Sequence, residues 1–116
     1  MDECIFCRIV RGEIPSTRVY EDGMFIAFHD IHPVAPVHVL VVPKIHFIDV
    51  LQLGRDPNGP AVAAALACAL PKIAAAVGLP DGGFRFLTNC GAEAGQTVLH
   101  LHWHLIGGRP LGPKLL

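Results

Sequence analysis

His100-Leu101-His102-Trp103-His104-Leu105-Ile106 alternates imidazoles with apolar residues. Strict alternation marks a strand buried on one face, because successive side chains of an extended chain point to opposite sides. The pattern predicts a last strand over 98–106, ended by Gly107-Gly108. His100, His102 and His104 then share one face at ~7 Å intervals, with Leu99, Leu101, Trp103 and Leu105 on the core side. Three histidines in register directly after Gly95-Gln96-Thr97 point to a chemical site rather than a solvated face.

Working outward, 84–89 reads as the neighbouring strand, separated from the first by the glycine-bearing loop Gly91 to Gly95. Before it, Pro60 to Val77 is mostly alanine with larger aliphatics, which predicts one long helix, bent at Pro71 and closed by Gly78. Gly54 to Pro60 is a loop, and His46 to Leu53 suits a helical turn. His38-Val39-Leu40-Val41-Val42 is a strong strand stopped by Pro43. Arg18 to Tyr20 and Met24 to His29 flank Glu21-Asp22-Gly23 as a hairpin. Cys4 to Val10 has helical spacing and stops at Gly12. The order helix, three strands, helix, two strands is α+β, a mainly antiparallel five-stranded sheet with a short N-terminal helix and one long helix.

The 116 residues suit a single domain, 1–116. With 9 basic and 10 acidic residues there is no cationic excess for a nucleic acid backbone, so a small ligand is expected and no nucleic acid polymer. No segment is expected to span a bilayer, and the acidic start Met1-Asp2-Glu3 is unlike a secretory leader; both suggest a cytoplasmic chain with reduced cysteines. Cys68, in the alanine run, reads as a small core residue; Cys90 is given no role. The long helix carries one charge, Lys72, and lacks a polar outer face, so a second copy should cover it. A homodimer through this helix is expected, extending to 84–87 and sensitive to a charge at Ala65 or Ala69.

A row of imidazoles serves two chemistries. One is a catalytic metal, which needs a third ligand and a carboxylate to handle water, and no acidic residue lies near the row in sequence. The other is nucleophilic attack on phosphorus, with neighbouring imidazoles and the donors of Gln96, Thr97 and the glycine loop on the phosphate oxygens.

The set His100-Leu101-His102-Trp103-His104-Leu105-Ile106, Gly95-Gln96-Thr97, Gly107-Gly108-Arg109, Phe28-His29-Asp30-Ile31, Ala35-Pro36-Val37-His38 and Val42-Pro43-Lys44 resembles the histidine triad family, and specifically its Hint branch of nucleoside phosphoramidases. The resemblance spans nearly the whole chain and implies a homodimer of α+β subunits. It implies His102 as nucleophile, with His38 and His104 assisting and His104 near the phosphate and leaving group. Asp30 would hold the ribose hydroxyls beside Ile31, and Ile5, Phe6, Ile9 and Phe28 would form the slot for a purine base. Asn89, Gly95, Gln96 and Thr97 would cradle the α-phosphate; many Hint-branch members have serine where Thr97 stands.

Cys4 and Cys7 form a C-x-x-C pair at the start of the chain, where a redox motif lacks its preceding strand. His46 and His100 match the zinc ligands of family members that carry this pair. Four protein ligands close the coordination sphere, so such a zinc is structural, and no organic cofactor is expected. The resulting expectation is hydrolysis of the P–N bond of purine nucleoside 5′-phosphoramidates through a nucleotidyl-histidine. The alternatives are a dinucleoside polyphosphate hydrolase, and a zinc- and nucleotide-binding regulatory protein whose hydrolysis is incidental.

Overall fold

The computed structural model describes residues 3–79, 81 and 83–116. Its elements are α1 (Ile5–Val10), β1 (Arg18–Glu21), β2 (Phe25–His29), β3 (Val37–Pro43), α2 (Val50–Arg55), α3 (Gly59–Ala76), β4 (Phe84–Leu87) and β5 (Trp103–Gly107). A single 3-10 turn, Ala92–Ala94, sits in the loop before β5. The sheet runs β1-β2-β3-β5-β4 with every neighbouring pair antiparallel, so the expected α+β architecture is what forms.

Local chemistry accounts for the element ends. Asp22 turns the β1–β2 hairpin by accepting the Met24 and Phe25 N–H groups on Oδ1 at 2.7 and 2.8 Å. Asp49 caps α2 by accepting the Gln52 N–H at 2.9 Å. That helix begins slightly later than the turn expected over 46–53. Helix α3 starts with Pro60 in its first turn and continues through Pro71 as one element. Gly59 is obligatory where α2 meets α3, since a Cβ there would collide with the Leu53 carbonyl.

Strand parity divides the interior into two layers. Phe25, Ala27, Val39, Val41, Trp103 and Leu105 face α3, whose Val62, Ala69, Ile73 and Ala74 complete the main core. Ile26, Phe28, Leu40 and Val42 face the other way and pack under Phe6 and Ile9 of α1. Antiparallel register places Leu40 opposite His104 and His38 opposite Ile106, so His38 and His104 emerge on the α1 side of the sheet.

Six expectations need correction. The last strand covers 103–107, not 98–106, because its partners stop: Val41 pairs Trp103 and Leu87 pairs His104, leaving 98–102 without a ladder. Its neighbour likewise ends at Leu87 rather than residue 89. Leu99, expected in the core, is 60% exposed in that unladdered stretch. Cys68 is exposed on the outward side of α3, whereas Ala69 is 2% exposed inside the chain's own core and Ala65 packs against it. A charge at Ala69 would therefore disrupt the fold before any interface. Finally, α3, with 18 residues and a mean hydropathy of 1.5, is by length and composition apolar enough to cross a membrane. It lies instead along the sheet, anchored by the four buried residues named above.

Candidate active site and metal centre

Helix α1 is too short to roof its side of the sheet, and a cavity of about 500 Å³ remains beside it. Ile5, Phe6 and Ile9 of α1 form one wall, Phe28 and Leu40 the floor, and Asp30 and Ile31 the rim. The slot thus gathers the residues expected to hold a base and a ribose. Pro15, Ser16, Thr17 and His29 also line it, and none of these, nor Leu40, was expected as a site residue. Ser16 Oγ is buried without a hydrogen-bond partner. Asp30 behaves as a turn residue on one oxygen, accepting the His32 N–H at 2.8 Å, while its other oxygen lies 3.4 Å from His38 Nε2. The fold therefore brings a carboxylate to the imidazoles, which the sequence order conceals; Asp30, His38 and His104 could together hold a cation.

The hydrogen bonds fix the imidazole tautomers. His102 Nδ1 lies 2.8 Å from the His100 carbonyl, which can only accept, so Nδ1 carries the proton and Nε2 keeps its lone pair. His38 Nδ1 accepts the Val34 N–H at 3.2 Å, so its proton sits on Nε2 and is donated to His104 Nδ1 at 2.8 Å. His104 in turn presents Nε2–H. Burial, then the His102 and His38 imidazoles, lowers the His104 pKa against the opposing pull of Asp30, which keeps this ring neutral. Phe6 packs edge-on to His102, with ring centroids 4.9 Å apart and an interplanar angle of 88°. Since 100–102 has no ladder, other bonds hold it: Leu101 N–H to the Phe47 carbonyl at 2.6 Å, and Thr88 Oγ1 to the His102 carbonyl at 2.7 Å. Thr88 was not foreseen as part of the site.

Cys4, Cys7, His46 and His100 converge nearby, the His100 ring also meeting Phe6 at a centroid distance of 5.9 Å. His100 is fully buried and donates Nε2–H to the Pro43 carbonyl at 2.9 Å, which leaves Nδ1 as a lone pair. That Nδ1 lies 3.3 Å from Cys4 Sγ, 3.5 Å from Cys7 Sγ and 3.1 Å from His46 Nδ1, and Cys7 Sγ lies 3.2 Å from His46 Nδ1. Ligands tetrahedrally placed at zinc–nitrogen and zinc–sulfur bond lengths stand ~3.3–3.8 Å apart, so these four separations fit a tetrahedral ion within a few tenths of an ångström, and all four donors lie within 4.8 Å of one another. Two thiols with two imidazoles are the donor set of zinc. Burial and the adjacent Cys4 push the Cys7 thiol up to about 11, and burial drives His100 down to about 4.

The loop carrying Asn89, Gly95, Gln96 and Thr97 stays outside the apolar slot. The Gly95 and Gln96 N–H groups are taken by the Ala92 and Gly91 carbonyls at 3.0 and 3.1 Å. The Gln96 side chain braces the loop, accepting the Gly91 N–H at 2.9 Å and donating to the Ile48 and Val98 carbonyls at 2.7 and 3.1 Å. Thr97 is exposed and borders a shallow surface with Cys4, Ile5 and Leu99.

Residues 11–111 match the HIT domain. The chain is 47% identical over 107 residues to Protein HitA of Neisseria gonorrhoeae, covering 92% of this chain and 97% of that one. It is 42% identical over 114 residues to the purine nucleoside phosphoramidase of Escherichia coli, covering 98% and 94%. Among solved structures, a HIT family hydrolase from Clostridium thermocellum superposes with a TM-score of 0.93 at 45% identity, over 100% of this chain and 99% of that one. A histidine triad protein from Clostridium difficile gives 0.89 at 44% identity, over 98% and 96%.

Proposed function

The chain belongs to the HIT domain family, and from that membership and the site's geometry we propose that it is a hydrolase cleaving the P–N bond of purine nucleoside 5′-phosphoramidates. The observation that carries the reading is the tautomer of His102, whose Nε2 keeps its lone pair in a ring packed on Phe6, itself a wall residue of the apolar slot. The base lies between α1 and the Phe28–Leu40 floor, and Asp30 meets the ribose at the rim. The lone pair of His102 Nε2 attacks phosphorus, the bond from phosphorus to the leaving nitrogen breaks, and that nitrogen takes up a proton delivered through His104 Nε2. Water then displaces His102, so that its hydroxyl stays on phosphorus and its proton, overall, on the amine. His38 holds His104 in the donating tautomer.

Cys4, Cys7, His46 and His100 hold a structural zinc in this reading, and four protein ligands leave it no position for water or substrate. The chain works as a homodimer. β4 is an edge strand, and beside it the outward side of α3 presents Ala67, Leu70 and Pro71 next to the part-exposed Phe84, an apolar surface suited to a twofold mate.

The test is chemical. His102→Ala should lower turnover of an adenosine 5′-phosphoramidate by at least about 10⁴-fold while adenosine 5′-monophosphate still binds. Acid quench of the wild type during turnover should leave a nucleotide mass on the peptide containing His102. Turnover surviving the substitution would overturn the mechanism, and faster cleavage of a diadenosine polyphosphate than of the phosphoramidate would replace the substrate.

A further inference from the structure

Helix α1 has six residues, well short of the ~12–15 at which an isolated helix becomes marginally stable in water, so its place depends on what it is tied to. On its inner side Phe6 and Ile9 enter the small core. Arg18 donates to the carbonyls of Ile9 and Val10 at its far end. At its near end the ties are Cys4, which caps the helix with its sulfur on the Cys7 N–H at 3.3 Å, and Cys7, both turned toward His46 and His100. Phe6 lies between these thiols in the chain. Its ring stands edge-on to both His100 and His102, with centroids 5.9 and 4.9 Å away, and it lines the slot.

Two routes therefore join the metal centre to the reacting imidazole. One runs through His100, whose ring faces the thiols while its carbonyl receives the Nδ1 proton of His102. The other runs through α1, which carries two metal ligands and also the slot wall.

We propose that metal bound by Cys4, Cys7, His46 and His100 is the clasp that holds α1 as a wall of the nucleotide slot, with Phe6 as the positioning residue through which loading reaches His102. The inference rests on the functional reading above for what enters the slot, and on geometry alone for the clasp. Loading closes the near end of α1 against the sheet, keeps Phe6 in its edge contact with Phe28, centroids 5.8 Å apart, and holds Phe6 on the His102 ring. Loss of the metal frees that end and loosens this wall of the slot, so binding suffers first.

The experiment compares the zinc-loaded full chain with the same protein stripped by a chelator and then reloaded. Amide hydrogen exchange over residues 5–10 should accelerate by about tenfold or more on stripping, while β3 and β5 keep their protection. Calorimetric affinity for adenosine 5′-monophosphate should fall by about tenfold and return on reloading. Phe6→Leu, kept loaded, should retain zinc and the protection of α1 yet weaken the nucleotide and move the His102 ring resonances. Equal exchange of 5–10 in both forms overturns the clasp. Faster exchange with unaltered affinity overturns its link to the slot, and unmoved His102 resonances in Phe6→Leu overturn the role of Phe6. If the loaded wild type binds no adenosine 5′-monophosphate, the functional reading falls, while the exchange and the His102 resonances still decide the clasp.

Discussion

Thr88→Val separates positioning of the nucleophile from binding of its substrate. The half-buried hydroxyl donates to the His102 carbonyl at 2.7 Å, at a point where no strand ladder holds the backbone. Valine keeps the shape and removes the donor, so the carbonyl loses its partner at a cost of ~1 kcal/mol. For a domain of this size that lowers the melting temperature by ~3–5 °C. Release of His102 by a fraction of an ångström should reduce kcat about tenfold, since a full ångström costs on the order of a hundredfold. KM should stay within about twofold, because Thr88 is not among the residues lining the slot. Thr88→Ser, which keeps the hydroxyl, should recover most of the loss. Steady-state kinetics on an adenosine 5′-phosphoramidate and a thermal melt decide the matter. A raised KM with kcat intact, or a lowered melting temperature with kinetics unchanged, would refute the assignment.

Zinc content by elemental analysis should be about one per chain, and chelation should lower the melting temperature; metal-free protein of equal stability would leave the cysteines as ordinary buried thiols. The lowered pKa of His104 means that the unfolded chain binds more protons than the folded one just below pH 6.5, so stability should fall as pH drops through that region. His104→Gln should flatten part of that slope in melts between pH 7.5 and about pH 5. Ala67→Glu, placed on the outward side of α3, should turn a dimer into a folded monomer by light scattering. An unchanged mass would move the interface elsewhere.

How far the sequence could be read depended on whether a residue's neighbours lie close along the chain. β2 and β3 were legible because short turns and β-branched runs determine them locally. The alternation of Trp103 to Ile106 correctly separated the core side from the site side. That alternation misled at 98–102, where the same period continues but no strand lies alongside; His100 is buried there by thiols from the other end of the chain, and Leu99 is not buried. An alanine-rich helix has no polar side to mark its orientation, hence the misplacement of Cys68 and Ala69. The approach of Asp30 to His38 follows from antiparallel pairing of β2 with β3 and has no trace in the spacing of acidic residues. The Gln96 brace was equally invisible, because its partners Gly91, Ile48 and Val98 leave no mark in the spacing of the sequence.

The brevity of α1 has a consequence for design. Its ~9 Å of helix is short beside the ~17 Å of the five-residue strand β2, and the slot opens beside it. Chain length in this one element thus acts as an aperture. One further turn, inserted before Gly12, should lengthen the slot wall beyond Ile9 and exclude large bases, and no imidazole lies on the added segment. Shortening it would admit bulkier ligands at the expense of grip. Selectivity among ligands is accordingly adjustable by indels in a segment that supplies no reacting atom, a coordinate separate from the chemistry.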